Sequence, residues 1–429
     1  MAKVIGIGLL GCGTVGTAVA EALTTTANPG LRAGLKLELR RVLVRNARKK
    51  RGLNLPAGVL TTEGQTVVTD PKVEIVVELL GGLEPARTLV LAALAAGKHV
   101  VTANKYLLAV HGHEIFAAAR AANRCVAFEA SCGGAIPIIG ALLGGLAAND
   151  ITQLVGIVNG TCNYILTQMT RGGQSYATAL AGAQAAGYAE PDPTFDVNGT
   201  DSAHKLAVLA ALAFGGRVDL ASIACRGIDT LQDQDLRYGK ELGYICKLLA
   251  IADKTAGGVS LQVRPTWVPA DHPLANVHGS YNAIMVEGSL CGTALFYGRG
   301  AGPKPTASAV LGDVLEVALG VAPARFASLP RLDWQKDLKL VPSGKLTSRN
   351  YLRVTVRDVP GVLAKVTRLL GTQKISISAV VQHETNQGQF VPVVIMTHAA
   401  PQHQLDTALK AIDQLPEIGA PTVCMPVLG

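Results

Sequence analysis

The sequence predicts an α/β protein in three parts: a doubly wound parallel sheet, an α+β middle region and a small βαββαβ unit at the C-terminal end. Three observations lead there. Up to about residue 130, short apolar runs alternate with helical segments, the pattern of parallel strands joined by crossover helices. From residue 131 to about 300 helical and strand-like segments mix. Over 350–429 period-two runs return, separated by two helical segments. A chain of 429 residues has room for about three domains.

The elements follow in order. Val4–Leu9 is a strand, Thr14–Thr25 a helix, Leu37–Val44 a second strand and Val67–Thr69 a short third. Glu74–Leu79 is another strand, ending in Gly81-Gly82. Pro85–Ala96 is a helix closed by Gly97. Lys98–Thr102 is a strand, His111–Asn123 a helix and Cys125–Glu129 a strand. Ala130–Asn149 is long, apolar and uncharged, but Pro137 and five glycines make it a buried helix with its entry loop rather than a membrane span. Pro305–Leu319 is an amphipathic helix, and 321–349, with Pro323, Pro330 and Pro342, reads as a linker. In the last unit Leu352, Val354 and Val356 alternate with polar residues, Val362–Leu370 is a helix, and Ile375, Ile377, Ala379 and Val381 alternate again. Phe390–Met396 is a strand in which Pro392 suggests an edge or a bulge. Gln402–Gln414 is a helix and Thr422–Val427 a strand.

Composition excludes several classes. Hydrophobic residues are 49% and charged residues 16%, too apolar for a disordered chain. The eight cysteines form no C-x-x-C pair and no zinc spacing, so they read as reduced thiols of a cytoplasmic protein. No secretory cleavage pattern is read near Met1. The net charge is +8, yet aromatics are only 4% and no basic stripe is interleaved with them, which argues against a nucleic-acid partner. Much of the excess sits between Arg32 and Arg51, where Arg45, Arg48, Lys49 and Lys50 follow one another closely. A small anionic ligand or a solvated loop would each account for that run.

Gly11-Cys12-Gly13-Thr14-Val15-Gly16 is G-x-G-x-x-G between a strand and a helix, with a second strand after it, and this context marks a dinucleotide turn. Its first glycine permits the sharp turn, the second admits a pyrophosphate to the backbone, and the third lets helix and strand pack closely. Thr14 and Val15 open the helix whose free N–H groups face the phosphates. An acidic residue after the second strand would favour NAD; Arg45 stands there instead. A guanidinium suits a 2′-phosphate, so NADP(H) is expected ahead of NAD(H).

Polar clusters interrupt the apolar middle region. They are Thr102-Ala-Asn104-Lys105, Glu129 to Pro137, Asn159 to Tyr164, Gly187 to Lys205 with Glu190, Asp192, Asp196 and Asp201, and Gly298 to Thr306. Asp201 and Lys205 are four apart at the start of an apolar segment, so on a helix they share one face. A lysine buried there needs a carboxylate partner, and such a pair can bind a hydroxyl oxygen and pass a proton. The plainer alternative is a capping aspartate in an ordinary i,i+4 ion pair.

With these motifs in view, the chain resembles the monofunctional homoserine dehydrogenases over its whole length, including a C-terminal ACT domain. The matching stretches are GLLGCGTVG, VVELLGG, VTANKYLLA, FEASCGGAIPII, GIVNGTCNYIL, GYAEPDPTFDVNGTDSAHKLAVLA and YGRGAGPKPTASAV. The resemblance implies a Rossmann-type nucleotide domain over 1–131 plus about 303–322, a catalytic and dimerisation domain over 132–302, a linker over 323–349 and an ACT regulatory domain over 350–429. It implies reversible NAD(P)H-dependent reduction of L-aspartate 4-semialdehyde to L-homoserine, a branch step toward threonine and methionine. It also implies roles. Lys205 would donate the proton, Asp201 would orient it and the substrate hydroxyl, and Lys105 would lie beside nicotinamide and substrate as a second candidate for proton transfer. Glu190 would hold the substrate ammonium near the Gly187 backbone. Gly302 would return to the cofactor. Glu129, Cys132, Gly134 and Ile136 match the family's monovalent-cation site, for Na⁺ or K⁺, where one carboxylate and backbone carbonyls are ligands. Cys132 departs from the small aliphatic residue expected there, harmlessly if only its carbonyl ligates.

Asp358-Val-Pro-Gly361-Val-Leu363 resembles the ACT signature, which implies an amino-acid effector, threonine first, at the Asp358–Gly361 turn and the Gly371–Ser376 loop. A homodimer or homotetramer is implied. Two other functions fit parts of the pattern. A reductase of another amino-acid semialdehyde would use the same acids, and a non-enzymatic amino-acid sensor would keep the nucleotide fold while losing Lys205, Asp201 or Glu190, all of which are present.

Overall fold

A computed structural model describes residues 3–25, 28–49, 51–383 and 388–429. The chain begins with β1 (Lys3–Leu10), α1 (Thr14–Thr24), β2 (Leu35–Leu43), β3 (Leu60–Thr61) and α2 (Gly64–Val68). It continues through β4 (Ile75–Glu78), α3 (Ala86–Ala95), β5 (His99–Thr102), α4 (Lys105–Ala121) and β6 (Val126–Ala127). The six strands are all parallel, in the order β3-β2-β1-β4-β5-β6. The order reverses between β1 and β4, and a doubly wound sheet opens its ligand crevice at that point. Successive β1 residues show both faces covered. A Cβ on Gly8 would strike Val67 of α2, while Leu9 faces Gly16 of α1.

Three early expectations are corrected here. Residues 67–69 do not form a strand. Val67 and Val68, both fully buried, close the α2 turn. α4 starts at Lys105 rather than His111, because the Asn104 side chain accepts the Leu107 N–H at 3.1 Å and caps it. The strand expected to reach Glu129 stops at Ala127, and Glu129 opens a 3₁₀ turn.

The middle region holds α5 (Ile138–Leu143), β7 (Ile151–Ile157), α6 (Gly160–Gly172), α7 (Tyr176–Ala185), α8 (Thr194–Val197), α9 (Thr200–Phe214), β8 (Ala224–Cys225) and α10 (Asp233–Glu241). Then come β9 (Tyr244–Thr255), β10 (Gly258–Pro269), β11 (Tyr281–Gly288) and β12 (Gly292–Arg299). Its sheet runs β12-β11-β7-β9-β10-β8. α9 lies against β7, β9 and β10 and is buried from Asp201 to Ala213, as its nearly all-apolar sequence requires. The Ala130–Asn149 stretch yields only the six residues of α5 as α-helix. α11 (Pro303–Ala318) returns to pack on α1 and on β4, β5 and β6.

The expected linker is folded. It carries α12 (Val321–Ser328), with Pro323 in the first turn, where a missing N–H costs nothing. Trp334 is buried against Phe116, ring centroids 4.4 Å apart, and fills the space above Gly112. The C-terminal unit contains β13 (Thr347–Ser348), β14 (Asn350–Arg357), α13 (Val362–Thr372), β15 (Ile377–Val381), β16 (Phe390–Thr397), β17 (Ala400–Pro401), α14 (Gln402–Ile412) and β18 (Ile418–Pro426). β13 and β17 form a ribbon, and the main sheet is antiparallel in the order β15-β16-β14-β18. Pro392 therefore lies on an inner strand, not an edge. It is tolerated because the β15 pairing stops at Val381–Val394, before reaching it. No single helix among the described residues is long and apolar enough to cross a membrane.

Candidate active site

Loops from both larger units meet at a cavity of about 1090 Å³. Its wall takes Lys105 from the start of α4, Asn159 to Thr161 from the start of α6, and Gly187 to Asp196 from the loop before α9. Asp201 and Lys205 come from α9, Arg299 from the end of β12, and Ala301 to Pro305 from the turn into α11 and its first residues. The sequence clusters around Lys105, Asn159, Glu190, Asp201 and Gly302 are thus brought to one place.

Asp201 is the centre of that place. Its Oδ2 lies 2.7 Å from Lys205 Nζ, one helical turn on, and its Oδ1 lies 3.0 Å from Lys105 Nζ. Burial alone would raise the Asp201 carboxyl, but Lys205 and Lys105 outweigh it and hold the group well below its usual range. Lys105 is pushed down by burial and up by Asp201 and the neighbouring groups, with a net rise. Lys205 also donates to the Val158 carbonyl at 2.7 Å. An ammonium has three N–H groups, so one remains for a ligand.

Two residues without a role in the sequence reading complete the arrangement. Asn159 Nδ2 donates to Asp201 Oδ2 at 2.9 Å and to Asp196 Oδ1 at 2.8 Å, while its Oδ1 accepts the Cys162 N–H and caps α6. Asn159 thereby ties the α6 N-terminus to both acids. Asp196 is raised chiefly by burial. The signal for both lay in their clusters, but only the fold shows that residues 37 and 42 positions apart share one amide. Gly187 and Glu190 lie on the rim, where Thr161 Oγ1 donates to the Tyr188 carbonyl at 2.7 Å and anchors the loop.

The dinucleotide turn sits at the open end of the first sheet. Gly11 has φ +101°, and its N–H donates to Leu43 O at 3.2 Å, which sets the turn beside the end of β2. A Cβ on Gly16 would stand 2.2 Å from the Gly11 carbonyl, so the third glycine is required by helix–turn packing. A Cβ on Gly13 would meet nothing within 4 Å, and α1 has no side-chain cap there; this is open space with free N–H groups, which fits a pyrophosphate. Thr14 and Val15 follow as the first residues of α1. Arg45 is exposed two residues beyond the end of β2, the strand end beside which this turn sits. Lys50 of the same basic run lies outside the described residues. Glu78, fully buried at the end of β4, was not singled out from sequence. It accepts from Thr102 Oγ1 at 2.6 Å and from the Leu80 N–H at 2.8 Å, binding the loops after β4 and β5 together; burial raises its carboxyl.

The Glu129–Ile136 loop runs beside this cleft without lining it. Left-handed Gly133 and Gly134 reverse the chain, and Ala135 N–H donates to Arg299 O at 3.0 Å. The Glu129 carboxylate is engaged. It accepts the N–H groups of Ile139 at 2.9 Å and Gly140 at 2.6 Å, at the start of α5, while burial pushes it up to about 7. Each of its oxygens takes one of these N–H groups and keeps a lone pair, so the carboxylate and the main-chain carbonyls are the oxygen donors this loop has for a cation. Cys132 is fully buried, its Sγ 3.8 Å from Lys205 O, and burial raises its thiol to about 12, so it is no thiolate ligand.

The comparisons with known proteins agree with this geometry. Family models match in sequence order: the homoserine dehydrogenase NAD-binding domain over residues 11–129, homoserine dehydrogenase over 137–315 and the ACT domain over 350–417. A homoserine dehydrogenase of Synechocystis is 44% identical over 421 residues, covering 95% of this chain and 96% of that protein. One from Pseudomonas aeruginosa is 41% identical, with 98% of each covered. The crystal structure of a homoserine dehydrogenase from Thiobacillus denitrificans superposes with a TM-score of 0.92 at 43% identity, over 99% of this chain and 98% of that one. A hyperthermophilic archaeal homoserine dehydrogenase in complex with NADPH superposes with a TM-score of 0.64 at 27% identity, over 74% of this chain and 98% of that one. A doubly wound nucleotide domain, a cleft built on a buried Asp–Lys pair and an ACT domain, matched end to end by such relatives, place the chain in the homoserine dehydrogenase family.

Proposed function

We propose that Lys205 and Asp201 carry proton transfer in the family's reaction, the reversible NAD(P)H-dependent reduction of L-aspartate 4-semialdehyde to L-homoserine. The observation behind this is the Asp201 carboxylate shared by Lys205 and Lys105 on the cavity wall. The bound dinucleotide supplies the hydride from its nicotinamide. Gly11, Gly13, Thr14, Val15 and Gly16 hold its pyrophosphate, Gly302 and Lys105 stand by the nicotinamide end, and Arg45 pairs with the 2′-phosphate of NADP(H). The third N–H of Lys205 meets the aldehyde oxygen and gives it a proton as the alkoxide develops. Asp201 keeps that ammonium aimed, and Asn159 fixes Asp201. Glu190, with the Gly187 backbone, takes the substrate ammonium; Asp196 faces the same volume and adds negative charge for it. In the reverse direction Lys205 receives the proton from the homoserine hydroxyl.

The same reading extends to the rest of the molecule. A Na⁺ or K⁺ ion is held by the Glu129 carboxylate and by carbonyls of Cys132, Gly134 and Ile136. The nucleotide domain takes in 1–131 and about 303–322, and 132–302 is the catalytic and dimerising part of a cytoplasmic homodimer or homotetramer. The ACT unit binds threonine at the Asp358–Gly361 turn. Kinetics of Lys205→Ala and Lys105→Ala side by side test the assignment. Loss of kcat in the first, with mainly KM affected in the second, is expected; the reverse pattern transfers the proton to Lys105. Replacing NaCl or KCl by choline chloride at matched osmolality is expected to lower activity, and unchanged activity and stability would remove the ion.

A further inference from the structure

An amino-acid substrate brings a carboxylate as well as an ammonium group, and the roles above leave the carboxylate without a partner. Four cations face the cavity: Lys105, Lys205, Arg299 and Lys304. Lys205, paired with Asp201, has its remaining N–H assigned to the aldehyde oxygen, and Lys105, also paired with Asp201, is assigned to the nicotinamide end. Among the described residues neither Arg299 nor Lys304 forms an ion pair, although both stand on a wall that also carries Glu190, Asp192 and Asp196.

Arg299 is held in place. Its backbone pairs with Tyr281 across β11 and β12, and its carbonyl accepts the Ala135 N–H at 3.0 Å. Its guanidinium lies over the Tyr281 ring, Cζ 5.3 Å from the centroid, and Tyr281 is itself stacked on Tyr297 with the rings 8° from parallel. A guanidinium resting on an aromatic face is fixed in position while its edge N–H groups stay free, and that edge matches a carboxylate in bidentate fashion. Lys304, five residues on, adds a second positive charge without a fixed hydrogen-bonding plane.

We propose that Arg299, supported by Lys304, is the subsite for the substrate α-carboxylate. This rests on the reaction assigned above. It makes the cavity complementary to a zwitterion, with Glu190 for one end and Arg299 for the other, so that a semialdehyde lacking the carboxylate is a poor substrate. The other anion that could enter is a phosphate of the dinucleotide, and the test separates the two.

The test is oxidation of L-homoserine and of L-homoserine amide, whose carboxylate is replaced by a neutral carboxamide, at saturating NADP⁺. Wild type, Arg299→Ala, Arg299→Lys and Lys304→Ala are compared. Arg299→Ala is expected to raise the KM for L-homoserine about 10- to 100-fold and leave that for the amide nearly unchanged, collapsing the preference between them. The KM for NADP⁺ should stay within about twofold; Arg299→Lys should restore part of the preference and Lys304→Ala should lower it less. An unchanged preference in Arg299→Ala overturns the proposal, and so does an effect confined to the KM for NADP⁺, which would assign Arg299 to a phosphate. Failure of the wild type to oxidise L-homoserine would instead contradict the reaction on which the proposal rests.

Discussion

Two buried aspartates in this molecule each gather several partners, and they are built for different ends. Asp201, in the cleft, shares its oxygens between two lysines and opens on a cavity of about 1090 Å³. Asp235 of α10 is fully buried between the catalytic part and the ACT unit. Arg353 grips it through Nε at 2.6 Å and Nη2 at 3.1 Å, and Tyr351 donates its hydroxyl at 2.9 Å. An arginine fork fixes geometry and keeps its charge, whereas a lysine is a point charge that can yield a proton. The comparison teaches that burial with a counter-ion does not mark a catalytic group. The partner's chemistry and access to a cavity do.

The largest effect that would break this contrast is on turnover. Lys205→Ala is expected to lower kcat per folded molecule by about 10²–10⁴-fold, because Lys205 opens on the cavity. Asp235→Ala should not. Removing one partner of a fully buried pair costs about 3–5 kcal/mol, read as a lowered urea midpoint, while kcat per folded molecule holds. Loss of kcat in Asp235→Ala without loss of stability would put the ACT junction in the catalytic apparatus.

A smaller effect sharpens the cofactor side. Arg45→Asp is expected to raise the KM for NADPH about tenfold or more and to change that for NADH far less; equal changes would return Arg45 to a solvated loop. The smallest effect concerns acid. The Asp201 carboxyl is lowered in the fold, so its ion pairs stabilise above the unfolded value of 3.8, and that contribution is lost as pH falls through the folded value. Unfolding free energies of wild type and Asp201→Asn should therefore differ at pH 5–7 and converge only well below pH 3.8. Lys105, raised in the fold, contributes below its unfolded value of 10.5 and loses the contribution as pH rises through the folded one. Convergence already at pH 5 would mean that the lysines do not hold Asp201 charged.

The contrast also marks what the sequence could tell. The parallel sheet was legible because each strand is a short apolar run with turn residues on both sides, and the Asp201–Lys205 pair because an i,i+4 spacing needs only a helix to be realised. Asp235 and Arg353 carry no such mark, since residues 118 positions apart leave no local pattern. Asn159 was visible as a polar residue but not as the amide that joins two acids. The proline-rich 321–349 stretch misled because prolines were read as irregularity, whereas Pro323 serves in the first turn of α12 and Trp334 brings the segment back to the core. In each case tertiary packing decided what local pattern left open.

The most direct measurement follows NADPH oxidation with L-aspartate 4-semialdehyde for wild type, Lys205→Ala and Asp235→Ala in parallel, each at saturating substrate and corrected for folded fraction. The account predicts rapid turnover in the wild type, a kcat lower by about 10²–10⁴-fold in Lys205→Ala, and near-wild-type kcat in Asp235→Ala. Turnover that survives in Lys205→Ala would contradict it, because the buried Asp201–Lys205 pair would then be no more than a second structural clamp.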